Sequence, residues 1–378
     1  MKKKLALVLA AIMCLSLFAV PVLASSDTSG EAAEEIELGT GKGTPSDPIK
    51  LSIGGIAPDP YTTTSNFPGS GEALKLFLDE VEEMTQGGVE FDCYWNSTLG
   101  GNPSMEEQVM MGELDIHYGQ PMSSNDSRYG AWNLPFIYND YDEVVAAVNP
   151  VNGPVYKLSS QWTEENGVHL VLISMSFFRG FLNSKREVKL PEDIKDMKIR
   201  TYEDEIVNKF WGSLGTASIV PGSEIFSALQ TKLVDAMEFM PSSIDIFGLQ
   251  EVCDYYTDLK WQWTNGLCFT MNQEVWDSLD PSVQAIIDKA ALDSFNYQAA
   301  AEMRDQAFMP EYVSNTLGMQ YTELTEEEHQ AWVDHARSLD DTFKGLIGEE
   351  AFDAYMAAVD EARAMIADGT AYHVDPAE

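Results

Sequence analysis

The stretch SFFRGFLNSKREVKLPEDIKDMKIR, residues 176–200, carries three of the chain's seven arginines. The chain around it is strongly acidic, with 61 Asp and Glu against 23 Lys and Arg and a formal charge of -38. Arg179 follows the apolar run LVLISMSFF, and Arg200 closes the strand-like segment DMKIR. Charged side chains placed for solubility do not normally stand at the ends of such segments. A guanidinium offers five donors in a planar fork, which suits a carboxylate or phosphate. In an α/β sheet, ligands gather at the C-terminal ends of strands. The residues alone leave other readings open: Arg200 also suits a salt bridge to Glu203 or Asp204, and Arg179 an ion pair between domains. Arg186, in the polar loop NSKREV, reads as solvated.

Outward from this stretch, strand patterns alternate with helix patterns. KLSIGGIA (50–57) reads as a strand, and GEALKLFLDEVEEMTQGG (71–88) as an amphipathic helix stopped by two glycines. VEFDCYW, the helix PSMEEQVMMGEL and the strand DIHYGQ follow, and HLVLISMSFF (169–178) reads as a strand buried on both faces. This alternation predicts an α/β fold with mainly parallel sheets. The length predicts two domains. Asp280-Pro281 opens a helical pattern running towards Leu317-Gly318, with a kink expected at Pro310. A helix of that length, about 50 Å, should bridge both domains.

The first residues place the chain outside the cytoplasm. A basic start (Lys2, Lys3, Lys4), an apolar stretch and a small residue at Ala24 predict a secretory signal over 1–24. Cys14 follows Met13 rather than the small residue that lipoprotein processing wants. Residues 25–47, rich in Gly, Ser, Thr and Glu, read as a flexible linker. No later apolar run approaches the roughly 20 residues needed to span a bilayer. The acidity argues against nucleic acid and membrane partners and favours a monomer. An anion site must therefore work through short, local contacts. Cys93 reads as a buried apolar residue, and Cys253 and Cys268 are candidates for a disulfide. The five histidines form no zinc-binding spacing.

Several segments in order resemble one family. GFLNSKREVKLPEDIKDMKIR and GSLGTASIVPGSEIFSALQTKLVDAMEF are similar to the central signature of the DctP-type substrate-binding proteins of tripartite ATP-independent periplasmic (TRAP) transporters. YWNSTLGGNPSMEEQVMMGELDI, AWNLPFIYNDYDEVVAAV and FTMNQEVWDSLDPSVQAII are similar to further family segments. The resemblance spans roughly residues 48–365. It implies a periplasmic-binding-protein-like fold with a ligand cleft between two lobes. The first lobe would hold 48–174 with about 262–300, and the second 175–261 with about 301–368.

The resemblance also implies site residues. Arg200 would bond a ligand carboxylate and Arg179 would assist. Many members carry an asparagine after the glutamate, where this chain has Glu238-Phe239. That pair resembles a branch in which the glutamate holds a cation bridging the ligand, so Na⁺ or Ca²⁺ at Glu238 is one expectation and an ordinary buried carboxylate the other. Phe239 could then face a ring or an apolar tail. Trp263, in Trp261-Gln-Trp263, is a candidate cleft wall or hinge residue. Gln120 and Tyr61, each just past a strand, are the candidates from the first lobe. The function implied is capture of a small organic carboxylate and its delivery to a TRAP permease. A ligand-binding protein serving a surface sensor would share the same cleft. An enzyme would need a nucleophile or an acid–base pair, and neither GxSxG, nor a Cys/His arrangement, nor a metal-ligand cluster is present in the sequence.

Overall fold

A computed structural model describes residues 36–263 and 268–377. The expected leader, 1–24, and the first part of the linker lie outside the described residues. The strands are β1 (Ile49–Gly55), β2 (Val89–Tyr94), β3 (Ile116–Gly119), β4 (Val168–Ile173), β5 (Phe178–Asn183), β6 (Lys198–Thr201), β7 (Thr216–Ile219), β8 (Ala236–Phe239), β9 (Tyr255–Trp263), β10 (Cys268–Asn272) and β11 (Gln320–Glu323). The helices are α1 (Gly69–Met84), α2 (Asn102–Met110), α3 (Tyr141–Val148), α4 (Pro154–Glu164), α5 (Glu205–Leu214), α6 (Ile225–Gln230), α7 (Gln273–Ser278), α8 (Pro281–Gln306), α9 (Met309–Glu311), α10 (Glu326–Arg337), α11 (Asp340–Ile347) and α12 (Glu349–Asp368).

Two sheets form, in the orders β2-β1-β3-β10-β4 and β11-β9-β5-β8-β6-β7. Each contains one strand that runs against both of its neighbours, β10 in the first and β5 in the second. These are the strands that follow the two short passages between the sheets, β4 to β5 and β9 to β10. A chain arriving from the opposite lobe enters at the edge facing that lobe, so it must run away from it. The parallel strands end at that same edge.

This corrects the reading of HLVLISMSFF as one strand. β4 stops at Ile173, residues 174–177 cross, and Phe178 opens β5 in the other sheet. The apolar run is unbroken because the crossing is itself buried at Ser174, Met175 and Phe177. Gln298 of α8 holds the crossing peptide by both polar groups: the Met175 N–H donates to Oε1 at 3.1 Å, and Nε2 donates to the Met175 carbonyl at 2.6 Å.

α8 ends at Gln306, short of the expected Leu317. Pro310 lacks an N–H, and its ring would meet the carbonyl four residues back, at Gln306. The chain continues through a turn, α9 and a π-helical turn over Tyr312–Thr316. α8 packs on α1 and β4 beside the first sheet, while Val313 and Met319 beyond it join the apolar cluster of the second sheet. α12 packs on α3 and α4, on the side of the first sheet, although residues 301–368 were expected to accompany the second.

The segment expected to be a flexible linker is docked from residue 39 onward. The Gly39 N–H donates to Ser282 Oγ and the Gly41 N–H to Asp280 Oδ2, each at 2.9 Å. The Asp280 N–H in turn donates to the Lys42 carbonyl. A Cβ on Gly39 would sit 2.4 Å from the Asp280 carboxylate, so the glycines that suggested flexibility permit the close approach. No disulfide joins Cys253 and Cys268, which lie in two different apolar clusters.

Candidate functional site

Arg200 lies near the end of β6, where the sequence places it, and Arg179 is the second residue of β5 rather than the last of a preceding strand. Because β5 is reversed, its start shares an edge with the ends of β6, β8 and β9. Gly180 pairs with Phe239, Arg179 with Gln262 and Phe178 with Trp263. Both arginines are buried, 8 % and 6 % exposed, and the carbon at the centre of each guanidinium lies 5.8 Å from the ring centre of Tyr202. That distance suits a cation–π contact. Gly180 permits this edge: a Cβ there would lie 2.3 Å from the Tyr256 hydroxyl, beside the register shift in the β5–β9 ladder.

The two arginines differ in their partners. Arg179 Nε donates to Glu238 Oε2 of β8, a fully buried carboxylate. Burial works against the Arg179 charge, but Glu238 overrides it and holds the guanidinium more firmly protonated than in water. Arg200 Nε donates to the Val220 carbonyl at 3.0 Å, and among the described residues no carboxylate pairs with it. Burial pushes its pKa down; Glu238 opposes this, and Arg179 adds to it. Arg128, Arg304, Arg337 and Arg363 all pair with acids, and the exposed Arg186 spends its donors on the carbonyls of Asp193 and Lys195. In a chain with 61 acidic residues, Arg200 is thus the one buried arginine lacking a carboxylate partner among the described residues.

The first lobe meets this edge through neutral groups. Asn133 Oδ1 accepts from Gln262 Nε2 at 3.0 Å and from the Tyr202 hydroxyl at 3.3 Å. Asn133 Nδ2 donates to Asp204 Oδ2 at 2.9 Å, which also accepts from Ser123 Oγ. The Phe136 N–H donates to the Trp261 carbonyl, and Asn66 Nδ2 to Asp245 Oδ2 at 2.7 Å. These bonds tie the lobes together, those of Asn133 reaching the residues beside the arginines.

The other expected residues divide. Phe239 is buried 5.8 Å from the Arg179 guanidinium and edge-on to Phe247. Trp263 is buried edge-on to Tyr138, and Trp261 stacks on Phe210 of α5. Gln120 follows β3 and is half-buried. Tyr61 is 54 % exposed, and its hydroxyl donates to Asp79 of α1, so it faces solvent rather than the arginines. The residues present do not suit a cation at Glu238: one oxygen is taken by Arg179, and a second guanidinium stands close by. Among the described residues, no cluster of three or more acidic, His or Cys side chains could hold a metal ion.

Sequence reading missed Tyr202, Asn133 and Gln262. Gln262 had a signal: in Trp261-Gln-Trp263, alternation puts the glutamine on the face opposite both tryptophans. A cavity of about 460 Å³, lined by Ser123, Glu203, Asp204, Glu205 and Ile347 among others, opens behind Asp204. Its three acidic residues would repel an anion.

The architecture is that of a two-lobed binding protein. The fold is similar to that of a solved TRAP periplasmic solute-binding protein from Ochrobactrum anthropi, with a TM-score of 0.73 at 23% identity, covering 86% of this chain and 99% of that one. The sugar acid binding protein DctPAm from Advenella mimigardefordensis, solved with galactonate, matches with a TM-score of 0.71 at 23% identity, covering 83% and 99%. The C4-dicarboxylate-binding periplasmic protein DctP of Rhodobacter capsulatus is 24% identical over 298 residues, 77% of this chain and 87% of that protein. The family model for bacterial extracellular solute-binding proteins, family 7 (DctP), matches residues 61–345, and the chain belongs to that family. It is a family of solute-binding proteins rather than enzymes.

Proposed function

We propose that this chain is an exported solute-binding protein that captures a small organic carboxylate at Arg200 and Arg179 and delivers it to a TRAP-type permease. The observation that carries this reading is Arg200, a buried guanidinium whose only described hydrogen bond goes to a carbonyl. A buried charge is costly until it is paired and hydrogen-bonded, and an incoming carboxylate supplies both. Arg179, kept charged by Glu238, stands close enough to share the load.

Ligand and lobes then act together. An acid held between the edges of the two sheets is bound better when they are closed, so occupancy shifts the open–closed equilibrium by that difference in affinity. The bonds from Asn133, Phe136 and Asn66 across to the second lobe are the contacts that closure would make. Related proteins are described as binding C4-dicarboxylates and galactonate, which supports an organic acid as the ligand class. Thermal unfolding with a panel of mono-, di-, keto- and hydroxy-carboxylates tests the reading. At least one acid should raise the melting temperature without being consumed. Turnover of the acid, or stabilisation that survives intact in Arg200→Ala, would defeat it.

A further inference from the structure

We infer that the site selects a singly charged acid bearing hydroxyl groups and excludes dicarboxylates, with Glu238 and Gln262 as the residues that decide. This rests on the carboxylate reading above and specifies it.

The first argument is a charge count. Two guanidiniums, Arg179 and Arg200, share the edge with one carboxylate, Glu238. The site therefore carries one uncompensated positive charge, and one ligand carboxylate neutralises it. The other nearby acid, Asp204, lies behind Asn133 at the start of α5. There the Val207 N–H, Ser123 and Asn133 already donate to it. The Tyr202 hydroxyl stays neutral, because burial pushes its pKa up and Glu238 adds to the shift. Among the described residues no further cation is recorded against these groups, and a second ligand carboxylate would face Glu238.

The second argument concerns the donors and acceptors left over. Glu238 gives one oxygen to Arg179, and its other oxygen, Oε1, is buried without a hydrogen-bond partner. Gln262 is in the same condition. Asp204 takes the amide nitrogen of Asn133, which turns Asn133 Oδ1 towards Gln262. That oxygen takes the Gln262 amide nitrogen, leaving Gln262 Oε1 buried and unpartnered. Gln262 stands directly opposite Arg179 in the ladder, so the two side chains rise from the same face. Both leftover atoms accept hydrogen bonds only. A hydroxyl group can donate to them; a methylene leaves them unsatisfied, and a carboxylate repels them. A site built to bond a hydroxyl rejects the analogue lacking it far more strongly than an apolar pocket rejects a wrong shape.

Matched triplets of probes test this on the purified chain by calorimetric titration. Each triplet holds a hydroxylated monoacid, its deoxy counterpart and the corresponding hydroxylated diacid. Lactate, propionate and tartronate form one; D-gluconate, hexanoate and D-glucarate a second; D-galactonate, hexanoate and galactarate a third. In at least one triplet the hydroxylated monoacid should bind about 100-fold or more tighter than either companion. Gln262→Leu should shrink its advantage over the deoxy acid by about tenfold or more, and Glu238→Gln should do the same for its advantage over the diacid. A diacid or deoxy acid that binds wild-type protein as well as the hydroxylated monoacid overturns the inference and leaves the carboxylate reading standing. So does preference unchanged in the folded variants. Failure of every acid to bind overturns both.

Discussion

On the outer part of the first lobe, Arg128 is surrounded by acid. Its Nε and Nη2 donate to Asp126 at 3.0 and 2.6 Å, its Nη1 to Glu165, and its guanidinium lies over Trp162. At the edge of the second sheet, Arg200 is more deeply buried and receives a single carbonyl. The same side chain is saturated where water could have served it and left short where water is scarce. With 61 acidic residues in the chain, a partner could readily have been placed beside Arg200. On the function proposed above, the contrast separates a guanidinium that ties structure together from one held for a ligand.

The largest effect should come from exchanging the two roles. Arg200→Ala should weaken binding of any stabilising acid by about 100-fold or more, because it removes one partner of a buried charge pair. Arg128→Ala should leave that affinity unchanged and cost about 1 kcal/mol or less in urea denaturation, as partly exposed pairs do. Equal losses of affinity in both variants would erase the distinction.

Gly180→Ala sharpens the comparison by moving the edge without touching a charge. The new methyl would meet Tyr256 and the Thr257 carbonyl, so about 1–3 kcal/mol of stability should be lost, together with ligand affinity as Arg179 shifts. Wild-type affinity in this variant would show that β5 need not approach β9 so closely.

A third way of housing an ionisable group gives a smaller, pH-dependent effect. Glu302, buried beside the start of α1, has its pKa pushed up to about 8 by burial, against the hydrogen bonds from Ser70 and Gln298. The folded chain thus retains a proton that the unfolded chain releases near its ordinary value. Stability from this group is complete at low pH and is lost as pH rises through about 8. Glu302→Gln should flatten the fall in melting temperature between about pH 5 and 8 relative to wild type; parallel curves would contradict it. The slightest change is expected from Asp280→Ala, which should speed proteolysis at residues 39–47 and lower the melting temperature slightly through the lost cap on the Ser282 N–H.

Much of this was legible beforehand because strand ends and helix stops are written locally. Arg200 lies one residue from the end of β6, close to where KIR suggests, and the Asp280-Pro281 start of α8 is in place. What escaped depended on distant partners. HLVLISMSFF carries no polar mark where it changes sheets, since both sheets and the crossing are buried. Gly39 and Gly41 read as looseness until Asp280 is seen against them. Tyr61 stands just past a strand, but Asp79 draws its hydroxyl outward. Gln262 matters only because Asn133, 129 positions earlier in the chain, fixes its amide.

The exchange of strands between sheets also bears on how the chain comes to be folded. β4 is hydrogen-bonded within its sheet only to β10, and β10 is also what joins it to β3. While a ribosome is still short of residue 272, the first lobe has an open slot at its centre and β4 has no neighbour to receive it. Long-range pairing of this kind is slow to form. The first sheet therefore cannot be completed until residues 268–272, more than half the chain after β1, are available to pair.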